Sequence, residues 1–464
     1  MISKQDILDR AAEWQLRPDV VEKDYVLGWL LASLGTLPLK EQWIFKGGTA
    51  IKKCYFETYR FSEDLDFSLL PDAPYSQDKI RQSLLRLTRV TEELSGIGFP
   101  ADMIQVRERR NLQGGTTYEG KVSYRGPLVI PTPPRVLFDI TNHEPLQEEP
   151  EERNILHPYP DQIPESSVLV YSFHELVAEK ARALYERTRP RDLYDVVYLL
   201  DNRSEMLDLE QVRELFRLKC GVKSFATPSV AEILIKIQTD AELRTEWANM
   251  LAHQLPALPE LNVLLTRLPD LLDFLEEAGM IVEEIQAVAV NPHMGEALVA
   301  PPGIQYWNIG APLEIIRFAG ANRLMVDFQY SGKSRRVEPY SLRRVQSTGN
   351  LLLNAWEEAA GHAKDFNLAK ISSLKVTNHS FSPRYQIELS GSIVQPVSTA
   401  RSMTQRFGPA VRRRASRHGL TYVFQCPACQ KRFRHSKNDG TLRKHKSPSG
   451  WDCSGRRGYL IETR

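Results

Sequence analysis

The chain has 464 residues, 42% of them hydrophobic and 25% charged, the composition of an ordinary soluble protein long enough for about three domains. No apolar run reaches membrane-spanning length, because the longest, Tyr25 to Leu34, is interrupted by Gly28 and Ser33, and the N-terminus lacks the basic-then-apolar layout of a signal peptide. A cytoplasmic protein without membrane contact is therefore expected, and its net charge of +2 hides an asymmetry: residues 401–464 carry 16 Lys/Arg against 3 Asp/Glu, whereas residues 1–400 carry 44 against 55.

In chain order, Trp43-Ile44-Phe45 reads as a strand, and Gly47-Gly48-Thr49 allows a tight turn with close backbone approach. Ala50 to Tyr55 continues as a helix whose N-terminal amides attract phosphate. The segment Arg60-Phe61-Ser62-Glu63-Asp64-Leu65-Asp66-Phe67 then places Asp64 and Asp66 on one face of a strand, with Leu65 and Phe67 on the other. Paired carboxylates of that kind hold magnesium, usually together with substrate phosphates, so the carboxylate strand and the glycine cradle support each other. Alone, an Asp-x-Asp is most often a solvated edge and a Gly-Gly only a turn.

Pro100 to Thr132 reads as a mixed, turn-rich segment. Arg135 to Ile140 is a short apolar strand carrying one acid, Asp139, which is either a third site carboxylate or a cap of the Thr141-Asn142 turn. Ser172 to Leu184 has helix-forming composition, with Ser172 as N-cap and Glu175 completing a capping box. Lys180 lies inside that helix, where the ordinary fate of a lysine is pairing with a nearby glutamate. Arg191-Asp192 opens the next helix, and Asp201 to about Val290 is leucine-rich and helical.

Four motifs resemble the abortive-infection nucleotidyltransferase toxins of AbiEii/AbiGii type: Glu22-Lys23-Asp24-Tyr25, Lys46-Gly47-Gly48-Thr49, Arg60 to Phe67, and Glu175 to Leu184 running on to Arg191-Asp192-Leu193-Tyr194-Asp195. The resemblance covers roughly the first two hundred residues and implies an α+β, polymerase-β-like nucleotidyltransferase core with a helical C-terminal part. It implies Mg2+ on Asp64 and Asp66, Asp139 as third carboxylate and base, and Lys180 on the triphosphate. Lys46, Gly47, Gly48, Thr49, Ser62 and Asp192 complete the nucleotide site, although Lys46 also reads as a surface lysine. The implied activity is transfer of a nucleotide from a nucleoside triphosphate to RNA, for example a tRNA 3′ end, or to protein. The implied setting is a bacterial toxin or antiviral-defence effector with an antitoxin or defence-system partner. The reading from a different class is a nucleic-acid-binding regulator whose first domain binds nucleotide without turnover.

After a linker at 291–311, residues 312–392 resemble the WYL domain, a small Sm-like β-barrel that senses ligands or nucleic acid, although Leu351-Leu352-Leu353 stands where its naming triplet would be. Arg317, Arg336 and Lys364 could line a basic groove there, or singly be strand residues facing solvent. A basic linker at 393–420 leads to a finger-like module at 421–464. Cys426-Pro427-Ala428-Cys429, His445 on a short helix and Cys453 offer tetrahedral Zn2+ ligands, with His435 as substitute. The competing reading is a Cys-x-x-Cys redox pair, for which the surrounding pattern is wrong. Arg432, Arg434, Arg443 and Lys444 would then face the phosphates of RNA or DNA.

Overall fold

The computed structural model describes residues 1–110, 115–202, 207–276, 296–297, 313–345, 349–389, 422–426, 432–435, 441, 442, 445, 453 and 459–463. They belong to two compact units, Met1–Ser398 and Thr399–Arg464.

The first unit is organised by a mixed seven-stranded sheet of β1 (Trp43–Lys46), β2 (Asp64–Leu69), β3 (Ile104–Arg110), β4 (Thr116–Ser123), β5 (Arg135–Thr141), β6 (Glu151–Asn154) and β7 (Ser167–Val170). Their order is β3-β4-β5-β2-β1-β7-β6, with β2 parallel to β5, β1 parallel to β7 and the other neighbours antiparallel. Around it run α1 (Lys4–Glu13), α2 (Pro18–Gly35), α3 (Gly47–Ala50, continued as a π turn to Tyr55), α4 (Gln77–Ser95), α5 (Phe173–Arg187), α6 (Pro190–Asp201), α7 (Leu209–Val222), α8 (Val230–Thr239), α9 (Ala241–Leu251) and α10 (Leu261–Leu272). The expected helical stretch after Asp201 is thus α7 to α10 as far as residue 276, beyond which it leaves the described residues.

The segment expected to be turn-rich contains two full strands. In β3, Ile104 and Val106 are buried while Gln105, Arg107, Glu108, Arg109 and Arg110 are exposed, so a charged outer face conceals the strand period. At α5, Ser172 caps as expected by accepting the Glu175 amide at 3.0 Å. The capping box stays half formed, because Glu175 turns to the amides of Gln147 and Glu148 and to Lys219.

Each residue of Glu22-Lys23-Asp24-Tyr25 on α2 ties down a different part of the chain. Glu22 accepts the Leu128 amide at 2.6 Å, and Lys23 pairs with Glu63 at 2.9 Å. Asp24 pairs with Lys53 at 2.6 Å and accepts from the Tyr159 hydroxyl, while Tyr25 donates to Asp161.

A second, all-antiparallel sheet follows within the same unit: β8 (Glu296–Ala297), then, after α11 (Leu313–Ala321), β9 (Leu324–Tyr330), β10 (Lys333–Arg344), β11 (Leu351–Glu357), β12 (His362–Asn367) and β13 (Ile371–Ser380). Its order is β12-β11-β10-β9-β13, with β8 on β10, and among the described residues nothing joins β12 to β13 to close the expected barrel. A bulge between Pro339 and Ser341 bends β10 over a core of Met325, Tyr340 and Phe381. Arg317 is helical rather than on a strand, and buried rather than lining a groove. It pairs with Glu57 at 2.9 Å and Glu314 at 3.4 Å. Arg336 is held by both oxygens of Asp327, and Lys364 by Glu357.

The second unit has three antiparallel strands, β14 (Tyr422–Gln425), β15 (Arg432–His435) and β16 (Tyr459–Thr463), in the order β15-β14-β16. Leu442 and His445 are not helical, contrary to expectation. Cys429, Arg443, Lys444 and the side chains of Arg432, Arg434 and His435 lie outside what is described. No helix among the described residues is long and apolar enough to cross a membrane.

The Asp24 and Lys53 side chains are both 1% exposed, so removing the acid strands a buried ammonium. Asp24→Ala should lower unfolding stability by about 3 kcal/mol or more in a denaturant titration. A loss on the scale of a surface pair, about 0.5 kcal/mol, would contradict this account.

Candidate active site

Strand register builds the site. Lys46 on β1 stands opposite Asp66 on β2, Asp66 opposite Asp139 on β5, and Asp139 opposite Glu119 on β4, so one row of charge crosses four strands on a single face. The other face of the same strands is apolar: the Phe67 ring lies 5.2 Å from Trp43, 5.3 Å from Phe45 and 6.3 Å from Phe138. That cluster fixes β2 so that Asp64 and Asp66 both face away from it.

The turn after β1 requires glycine twice. Gly47 has φ +79°, and a Cβ there would collide with Oδ2 of Asp66. A Cβ on Gly48 would come within 2.9 Å of the Arg60 guanidinium and 3.1 Å of the Ser62 hydroxyl. The Gly-Gly backbone, Ser62 and the Asp66 carboxylate are therefore in mutual contact range, and Thr49 locks the arrangement by donating its hydroxyl to the Asp64 carbonyl at 2.5 Å.

The cations around the carboxylates are anchored to other acids. Asp195 on α6 receives a two-point contact from Arg60, at 2.6 and 2.9 Å, and a third from Lys180 at 2.7 Å. Burial would raise the Asp195 carboxyl, but Arg60 and Lys180 overcome it and hold it well below the usual range. One carboxylate thus faces two cations, and their charges also reach the carboxylate strand, Lys180 acting on Asp66 and Arg60 on Asp64. Lys46 is buried against Glu144 and stands 3.9 Å from Glu179, and its ammonium is 5.6 Å from the Tyr171 ring centroid. Burial alone would lower it, yet Glu179, Tyr171 and Glu144 raise it well above the ordinary lysine value. Lys223 and Lys219 extend this network to Glu144, Glu175 and Glu179.

Asp64, Asp66 and Asp139 make no ion pair among the described residues. Burial, then the charges of Asp139 and Asp64, push the Asp66 carboxyl up to about 7. Burial also raises Asp64 and Asp139. By contrast Glu63, which burial would raise, is held down to about 2 by Lys23 and His253.

The structure brings together Lys46, Gly47, Gly48, Thr49, Ser62, Asp64, Asp66, Asp139 and Lys180. Asp192 is taken up by Arg187, in contacts of 2.7 and 2.8 Å. Asp195, quoted in the sequence motif without a role, is the acid that organises the cations. Its signal was an acid within the apolar run Leu193 to Leu200. Glu144 and Glu179 had no such signal, since one sits in a polar loop and the other among charged helix residues. Arg187 was missed and Arg191 was quoted without a role; their charges act on Asp66 and Asp64 respectively.

Residues 29–277 match the family described as nucleotidyl transferase AbiEii toxin, type IV toxin–antitoxin system. Among solved structures the chain is similar to MenT4, a nucleotidyltransferase toxin from Mycobacterium tuberculosis H37Rv, with 21% identity over 59% of this chain and 90% of that one and a TM-score of 0.42. It is also similar to proteasome accessory factor B/C of Arthrobacter aurescens, with 11% identity over 94% of this chain and 41% of that one and a TM-score of 0.14. No curated protein matches it.

Folding takes up a proton at Asp66, because its carboxyl titrates at about 7 in the folded chain and at about 3.9 in an unfolded one. Without a bound metal, this group must therefore cost stability as pH rises through that window. Asp66→Asn should unfold at higher urea than the parent at about pH 8, in chelator, with the difference vanishing towards about pH 4. A variant less stable than the parent at the higher pH would show that the carboxylate cluster carries no such strain.

Proposed function

Because the chain belongs to the AbiEii nucleotidyltransferase toxin family of type IV toxin–antitoxin systems, it is a nucleotidyltransferase with a nucleoside triphosphate substrate and an antitoxin partner, and we propose that Asp64, Asp66 and Asp139 are its reaction centre. The observation that carries this reading is the row Lys46, Asp66, Asp139 on adjacent strands, against a glycine turn too close to Asp66 for any side chain.

Three carboxylates on one face of two adjacent strands, with no ion pair among the described residues, offer the hard-oxygen donors that suit Mg2+. Asp64 and Asp66 would hold it, with Asp139 alongside, and the metal would supply charge stabilisation for the attacking and leaving oxygens. The chain's own groups do the rest. Lys180 and the amides of Gly47 and Gly48, with Ser62, bind the β- and γ-phosphates and favour departure of pyrophosphate. Lys46 stays fixed by Glu144 and Glu179 at the edge of the carboxylate row. Asp139, its carboxyl raised above the usual carboxylate range, takes the proton as the acceptor hydroxyl forms its bond to the α-phosphorus and the bond to the β-phosphate oxygen breaks.

RNA is the acceptor class that fits best, supported by the 16 Lys/Arg against 3 Asp/Glu of residues 401–464. Growth arrest would follow from nucleotide addition to such an essential acceptor. The second sheet is a regulatory, WYL-like domain in this reading. Its support is the seam along α11 and β9, where Asn322 accepts the Tyr194 hydroxyl at 2.6 Å and Arg323 pairs with Asp201 at 2.8 Å.

Incubating the chain with each α-labelled nucleoside triphosphate, magnesium and total bacterial RNA should label RNA with one preferred nucleotide. Asp64→Asn and Asp66→Asn should each cut transfer by about a thousandfold, the scale of losing a principal transition-state stabiliser, while circular dichroism stays unchanged. Undiminished labelling by either folded variant would remove the carboxylate row from the chemistry.

A further inference from the structure

The second unit contains a side-chain cluster that nucleotide transfer does not use. Cys426 directly follows β14, Cys453 precedes β16, and the ligand atoms of Cys426, His445 and Cys453 all lie within 4.8 Å of one another. Both cysteines are buried, at 0% and 6% exposure. Their sulfurs stand 3.6 Å apart, far beyond the roughly 2.05 Å of a disulfide. Two thiolates bound to one tetrahedral zinc, each about 2.3 Å from it, would be about 3.8 Å apart. The observed spacing is therefore close to one edge of a zinc tetrahedron.

The surroundings hold the third donor in place. The Cys453 amide donates to the His445 carbonyl at 2.9 Å, which brings those two ligands to the same end of the unit. Phe433 meets the His445 ring edge-on, with centroids 4.6 Å apart and planes at 62°. Among the described residues the apolar cluster here consists of Cys426, Cys453 and Leu442 with Phe433 against it, so the three donors sit inside the packed part of the unit that is described. Sulfur and imidazole donors select against magnesium and calcium and in favour of zinc.

We propose that Cys426, His445 and Cys453 bind a structural zinc ion and that this ion, more than the apolar core, folds the three-stranded unit. Metal binding and folding of the unit are then one event, since the donors come from separate segments that only the folded topology brings together. The site is chemically independent of the carboxylate row, which offers oxygen donors only.

The full chain, purified without chelator, should contain about one zinc per molecule by elemental analysis. Cys426→Ser and Cys453→Ser should each lose most of it, whereas Cys220→Ser, altering a buried cysteine of the first unit, should keep it. Cobalt(II) exchanged into the parent chain should show the intense visible bands of a tetrahedral ion and thiolate-to-metal charge transfer. This parent measurement remains decisive if the serine variants fold poorly. After a strong chelator, limited proteolysis should cut within residues 399–464 and spare 1–276. A parent chain that takes up no zinc when it is supplied, an octahedral cobalt spectrum, a Cys426–Cys453 disulfide in the mass spectrum, or full zinc content in Cys453→Ser would each overturn the proposal.

Discussion

The register between β2 and β5 is the constraint on which the proposed reaction centre rests. Side chains alternate along a strand, so a slip of one residue would turn Asp66 into the aromatic layer and bring Phe67 out among the charges. The penalty for that slip is large on both faces. It would strip Phe67 of Trp43, Phe45 and Phe138, and it would bury a carboxylate where no donor can reach it. Apolar packing on one side of the sheet therefore holds like charges together on the other. The elevated Asp66 carboxyl, at about 7, is the measure of the repulsion and desolvation so imposed.

A second consequence concerns the cations. Had Lys46 or Lys180 paired directly with Asp66, the row would be neutralised and the proposed metal site filled by an ammonium. Each is instead drawn aside, Lys46 by Glu144 and Glu179 and Lys180 by Asp195. These partners are themselves over-determined: Arg60 grips both oxygens of Asp195, and Lys223 grips Glu144. A buried pair of this kind contributes little net stability, but breaking it leaves an uncompensated charge. Its value to the protein is positional: Asp195 holds Lys180 in place and keeps it from collapsing onto the carboxylates.

The legible parts of the sequence were those where period or backbone chemistry speaks alone. Asp64-Leu65-Asp66-Phe67 alternates with period two, Gly47 needs a left-handed φ, and Asp139 is an acid in an otherwise apolar strand. Contacts made by loops were not legible. Glu144, between His143 and Pro145, reads as a solvated turn until the fold places it against Lys46. The run Ile315 to Ala319, which forms α11, is too short for its period to separate strand from helix, so neither the groove nor the strand alternative for Arg317 anticipates a buried helical arginine. In β3 the opposite difficulty arose, since five polar or charged residues among seven suggest a loop, although two buried aliphatics at alternate positions suffice to hold an edge strand.

The seam between the Gly-Gly segment and α11 shows how the two sheets of the first unit are joined. Lys52, on the π turn that continues α3, donates to the Glu57 carbonyl, and Glu57 in turn pairs with Arg317 on α11. Burial lowers the Lys52 ammonium to about 8, while burial and then Glu57 raise the Glu314 carboxyl to about 7. These are signs of charge held in a poorly solvated seam, not of a surface contact. An apolar seam can slide with little change in energy, but a seam of directional, buried ion pairs has one geometry in which its charges are compensated. Any displacement of α11 must therefore either break the Arg317 contacts or carry Glu57 with it, together with the end of the turn that begins at Gly47. The segment that begins at Gly47 and the second sheet are in this way mechanically continuous, although among the described residues none of the second sheet enters the carboxylate row.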